Sequence, residues 1–130
     1  MKSSQPPFFR RRLNSFGYAL KGIKAAFRTE FNLRWHCLST VLVIATGFFL
    51  QITRVDWIFV FVAVGLVWMA ELFNTAIEVV VNLVSPEPHP LAGKAKDIAA
   101  GAVLIISMCA VLIGALVFMP YLELLVQKLG

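Results

Sequence analysis

The stretch WIFVFVAVGLVW, Trp57 to Trp68, has no polar group beyond two indole N–H donors. It runs without a break into MAELFNTAIEVVVN, where Glu71, Asn74, Glu78 and Asn82 stand 3, 4 and 4 residues apart. On a helix that spacing puts all four on one narrow stripe. A carboxylate inside a bilayer costs about 2.5–3.5 kcal/mol on insertion scales. A chain with this segment must therefore turn the stripe toward other helices, water or an ion, and three spans leave one protomer little interior, which argues for an oligomer.

Composition agrees with a membrane setting. The 130 residues are 59% hydrophobic and 15% charged, against roughly 45–50% and 25% in soluble domains. The length suits a single domain, residues 1–130. Net charge is +5, and eight of the twelve Lys and Arg precede Trp35. Little of the remaining chain is polar enough to build a nucleic-acid-binding domain, so no nucleic acid is expected, and an anionic membrane surface is the partner this basic end suits. Cys37 and Cys109 lie in apolar surroundings with no metal-ligand spacing, and are read as small packing residues. The N-terminus is too basic and too interrupted for a cleavable signal peptide, so the whole chain is expected to remain.

The pattern predicts an all-α protein with four helical segments. Phe9, Leu13, Phe16, Leu20, Ile23 and Phe27 recur at spacings of 4, 3, 4, 3 and 4, with Arg and Lys on the other faces. This marks residues 8–28 as an amphipathic helix in the membrane interface. Transmembrane helices are expected over 30–50, 57–84 and 92–119. The three prolines of SPEPHP stop the second, and Pro120 ends the third. The N-terminal segment and the second loop, taken as Ser85–Lys96 with Lys94 and Lys96, hold ten of the twelve basic residues. The positive-inside rule thus puts both in the cytoplasm and the C-terminus outside.

Helix rise gives the stripe a depth. From an outer anchor at Trp57, Glu71 lies about 21 Å and Glu78 about 31 Å along the helix, against a hydrocarbon core of about 30 Å. Glu30, counted back from Leu50, also falls about 30 Å from the outer end. Two carboxylates then share the cytoplasmic rim, with Glu71 two turns beneath. One reading makes Glu71 and Asn74 interhelical glue. Another makes Glu71 a proton carrier in a small proton-coupled transporter subunit, which calls for carboxylates at mid-bilayer with access from both sides. A third is phosphoryl transfer at the membrane surface. Mg²⁺ typically takes one or two carboxylates plus phosphates and water. Lys96 and the free N–H groups near Gly93 suit phosphate oxygens. A carboxylate just below the headgroups suits the proton of a lipid hydroxyl. LAGKAKD is no Walker A loop, and neither a GxxxxGK[ST] nor an HRD-type element is present.

ELFNTAIE followed by HPLAGKAKDIAAGAVL, with GYALKGIKAAFRTEFNLR upstream, resembles the small prokaryotic diacylglycerol kinase family. The likeness covers nearly the whole chain. It implies a homotrimer of protomers with one surface helix and three transmembrane helices in the bacterial cytoplasmic membrane. Active sites would be shared between neighbours, and MgATP would phosphorylate a lipid hydroxyl. By motif, Glu71 resembles the family's proton acceptor and Asn74 its active-site Asn, while Glu30 and Glu78 resemble its metal-binding carboxylates. Arg11, Tyr18, Glu87, Pro88, His89, Lys96 and Asp97, with Glu30 and Glu78, resemble its nucleotide contacts. Glu71 and Arg34 are assigned to the lipid substrate. Two features depart from the family: Asn82 stands where Asp is common, and SPEPHP replaces a more ordinary loop. His89 also reads as a loop-capping residue. RTEFNLRWH and HPLAGKAKDIAAGAV look more like the branch acting on undecaprenol than the branch acting on diacylglycerol.

Overall fold

The computed structural model describes residues 8–129, except the side chains of residues 8–11, 13 and 129. It is built of four helices: α1 (Phe8–Thr29), α2 (Phe31–Leu50), α3 (Arg54–Val84) and α4 (Pro90–Leu129). The last three are long and apolar enough to cross a membrane.

Each break in the helical run has a local cause. At Glu30 the backbone turns extended, with φ −94° and ψ 116°. This leaves the last carbonyls of α1 without helical donors. Arg34 supplies them: its Nε donates to the Phe27 carbonyl at 3.3 Å and its Nη2 to that of Arg28 at 3.0 Å. A cation at a helix C-terminus also meets the negative end of the helix dipole. α2 ends at Gln51, which adopts the left-handed conformation at φ 52° so that the N–H groups of Gln51 and Ile52 reach back to Phe48 and Gly47. Two residues on, Thr53 caps α3 in a reciprocal box with Asp56, satisfying donors that the first turn would leave open. The connection is shorter than the sequence indicates, because α3 begins at Arg54 and not at Trp57. α3 ends at Val84, just before SPEPHP, and Pro90 opens α4, the position where a missing N–H costs nothing.

Pro120 does not end its helix. α4 continues through it to Leu129. The residue after it explains the continuity: Tyr121 Oη donates to Asp56 Oδ2 at 2.5 Å and accepts from the Thr53 N–H at 3.1 Å. The α2–α3 turn thus holds the far end of α4 in line, and the one hydrogen bond that Pro120 forfeits does not decide the outcome.

Packing is concentrated between α3 and α4. Ile52, Val60 and Val117 form the buried cluster near the turn, with Trp57, Ile113 and Phe118 packed against it. Gly47 admits the Trp57 ring so closely that a Cβ there would stand 2.8 Å from it. Most large apolar side chains nonetheless face outward, among them Phe49, Phe59, Ile105, Val111 and Leu116. Such a surface is unsustainable in water and ordinary against lipid chains.

Candidate functional site

The polar stripe on α3 is not uniform. Glu71 is 2% exposed and Asn74 8%, whereas Glu78 is half-buried and Asn82 exposed. Burial decreases along the stripe as it approaches the Pro-rich loop. Glu71 is satisfied within the protomer by a residue of α2: His36 Nε2 lies 2.9 Å from Glu71 Oε1. One turn on, Asn74 Nδ2 donates to Glu78 Oε1 at 3.1 Å. That bond fixes the amide's orientation and leaves Asn74 Oδ1 buried without a partner. Thr75 Oγ1 donates to the Glu71 carbonyl at 3.0 Å.

The helix register follows from these contacts. Trp68 Nε1 donates to Thr40 Oγ1 at 3.0 Å. Going from that pair to His36–Glu71, α2 runs backward as α3 runs forward, an antiparallel hairpin. Glu30 lies six residues before His36 and Glu78 seven after Glu71, so by helix rise they stand about 9 Å and about 10.5 Å from the dyad, at one level. Glu30 occupies the N-cap position of α2 but makes no side-chain capping bond there. Among the described residues, no group of three or more His, Cys, Asp or Glu side chains converges on a point.

Beyond Glu78, a concavity of about 350 Å³ gathers Asn82, Glu87, Pro88, His89 and Lys96. Lys96 Nζ donates to Asn82 Oδ1 at 2.7 Å, so the two ends of the Pro-rich connection are tied. His89 caps α4: its Nδ1 accepts from the Leu91 N–H at 3.2 Å and its carbonyl from Gly93. Asp97 is exposed on the next turn. On α1, Tyr18 is 68% exposed with Lys21 Nζ 5.7 Å from its ring centre. The side chain of Arg11 lies outside the described residues.

A second concavity, about 310 Å³, opens between α2, α3 and α4. His36 stands among its lining with Thr40, Trp68 and Ser107, and the rest is chiefly aliphatic. Sequence reasoning did not single out His36. Its one signal was a lone imidazole in RWHCLSTVLV, where an otherwise apolar helix is beginning. The role of Arg34 in closing α1 was likewise not foreseen.

Among the described residues this is an all-helical chain with three candidate membrane spans, a buried carboxylate and a polar path leading from it to the Pro-rich connection and Lys96. The family model for prokaryotic diacylglycerol kinase matches residues 17–118. Over 86% of its length the chain is 39% identical to the undecaprenol kinase of Bacillus subtilis, covering 91% of that protein. It is 38% identical to the diacylglycerol kinase of Haemophilus influenzae over 76% of this chain and 83% of that one. With the diacylglycerol kinase of Escherichia coli K12 the identity is 34%, over 80% and 85% of the two chains. The chain therefore belongs to the prokaryotic diacylglycerol kinase family and is a membrane lipid kinase.

Proposed function

We propose that this kinase transfers the γ-phosphoryl group of MgATP to the hydroxyl of undecaprenol at the cytoplasmic face of a bacterial inner membrane. The carrying observation is the pairing of a nearly inaccessible carboxylate, Glu71, with an unpartnered buried acceptor, Asn74 Oδ1, one turn away on the path to Glu78. A buried polar atom without a partner is costly, and a metal-bound water arriving there would relieve it, leaving the single O–H of the lipid for Glu71.

In this reading Glu71 takes the proton of the lipid hydroxyl as its oxygen attacks phosphorus, and Asn74 holds the metal-bound water. The all-oxygen donor set of Glu30 and Glu78 fits Mg²⁺, which needs few protein ligands when phosphates complete its shell. When bound, the ion supplies neutralisation of the phosphate charge. Lys96 and Asp97, the Glu87–His89 turn, Arg11 and Tyr18 attend the nucleotide. His89 keeps only Nε2 for that purpose, since Nδ1 is engaged in capping α4. We assign one catalytic domain to residues 1–130, with residues 8–28 as a helix on the anionic membrane surface, spans over 30–50, 57–84 and 92–119, and three copies per assembly. The outward apolar side chains of all three long helices leave ample surface for contacts between copies.

Undecaprenol is favoured by the extent of the match to an undecaprenol kinase, which takes in 86% of this chain and 91% of that protein; identity does not separate the two lipids. Diacylglycerol is the second reading, supported by diacylglycerol kinases that are 34–41% identical to this chain. The test is transfer of labelled γ-phosphate in mixed micelles with Mg²⁺, offering each lipid separately and counting label in the organic extract. Label in undecaprenol alone is the expected result. Label in diacylglycerol alone reassigns the substrate, and label in neither from folded protein removes the proposal.

A further inference from the structure

The reading of Glu71 as proton acceptor leaves open what keeps its carboxylate pointed. An ionised carboxylate only accepts hydrogen bonds, so at 2.9 Å the hydrogen between the two groups belongs to His36 Nε2. The neutral imidazole is then the Nε2–H tautomer, and one oxygen of Glu71 is engaged while the other is left for a proton. The imidazole is itself held in place. Thr40 Oγ1 donates to the His36 carbonyl at 2.7 Å and accepts from Trp68 Nε1 at 3.0 Å, which pins that turn of α2 to the turn of α3 preceding Glu71. Phe27 of α1 packs on the Trp68 ring with centroids 6.0 Å apart. His36 also lines the largely aliphatic concavity between the three long helices, where it sets the polar dyad against an apolar space.

We propose that His36 is a positioning residue for phosphoryl transfer: its Nε2–H fixes Glu71 Oε1 so that Oε2 receives the lipid's proton. The inference rests on the assignment of Glu71 as proton acceptor. In the step itself the lipid O–H bond breaks as its oxygen bonds to the γ-phosphorus. The proton passes to Glu71, the bond from phosphorus to the bridging oxygen breaks, and ADP leaves with that electron pair. His36 neither gains nor loses a proton.

Three variants separate the possibilities: His36→Leu removes the donor, His36→Gln returns an N–H at nearly the Nε2 position, and Glu71→Gln tests the underlying assignment. For His36→Leu, kcat is expected to fall about tenfold to a hundredfold, the scale on which misplaced reacting groups act. KM for MgATP and for lipid should stay within about twofold, since a loss confined to kcat marks an interaction of the transition state. His36→Gln should recover kcat to within about fivefold of the parent. The ¹⁵N spectrum of the ring, assigned by the signal missing in His36→Gln, should show the Nε2–H tautomer in the parent, with the Nε2–H signal shifted in Glu71→Gln, where a neutral amide oxygen replaces the charged acceptor. This readout does not depend on whether His36→Leu folds. A Leu variant with unchanged kcat, an effect on lipid KM alone, a Gln variant no better than Leu, or an Nδ1–H tautomer in the parent overturns the role of His36. Full turnover by Glu71→Gln overturns the assignment of Glu71 as well, whereas an inactive Glu71→Gln beside a fully active His36→Leu removes only the present inference.

Discussion

Glu71 and Glu78 are the same residue type two turns apart on one helix, and their surroundings separate them. Glu71 is enclosed and paired with His36, while Glu78 is half-buried and shares one oxygen with the amide of Asn74. A proton acceptor gains from enclosure, whereas a metal ligand at the rim must remain open to the ion and its phosphates. Glu71→Gln should therefore lower kcat by about 10²–10⁴-fold, the usual worth of a general base, with MgATP binding in equilibrium titrations unchanged. Glu78→Gln and Glu30→Gln should instead raise the Mg²⁺ concentration for half-maximal activity, with part of the lost rate returning as Mg²⁺ is increased. Equal Mg²⁺ dependence in all three variants would undo this division of roles. The stripe was legible because its period is that of a single helix. His36 was not, because its partner is on another helix and the α2–α3 register is needed to see them meet. The part of Arg34 in closing α1 escaped for the same reason, although the residue itself is named for the lipid: its acceptors belong to the preceding helix.

At the scale of elements, the hairpin of α2 and α3 decides whether His36 meets Glu71, and its turn carries a local cost. Gln51 is the one non-glycine residue with positive φ among those described, in a region that costs an L side chain about 1–2 kcal/mol. Glycine removes that cost at a helix C-terminus but adds chain entropy to the unfolded state. Gln51→Gly should thus stabilise the protein by about 0.5–1 kcal/mol. Gly47→Ala should act in the opposite direction, by about 1–3 kcal/mol, because a Cβ meets the Trp57 ring at 2.8 Å and that ring is stacked on Phe61. Thermal unfolding in detergent, followed by circular dichroism, orders the two variants around the parent. If Gly47→Ala unfolds with the parent, the aromatic packing at the turn is looser than these contacts require. Apolar runs and prolines made four helices readable, including the stop at SPEPHP. They misjudged Pro120, since the tether from Tyr121 to Asp56 joins residues 65 apart in sequence and local propensity carries no trace of it.

For the whole molecule, orientation determines whether any of this chemistry is possible, because the carboxylate rim must face the compartment that holds ATP. α3 and α4 have 31 and 40 residues. At about 1.5 Å per residue they measure about 46 Å and about 60 Å, well beyond a hydrocarbon core of about 30 Å. Both therefore project at their ends. One projecting end carries Glu78, Lys94, Lys96 and the Pro-rich loop, and the other carries Asp56, Arg54 and Lys128. Charge favours the first end as cytoplasmic, since the N-terminal segment and the start of α4, with Lys94 and Lys96, together hold ten of the twelve basic residues. The prediction can be read with thiol labelling in a background of Cys37→Ala and Cys109→Ala, the two free cysteines. An impermeant maleimide should reach Pro86→Cys only in inverted vesicles, and Gln127→Cys in intact spheroplasts. The reverse pattern would place Glu30, Glu78 and Lys96 on the side without nucleotide. A kinase drawing on cytoplasmic ATP could not work in that orientation, whatever the geometry around Glu71.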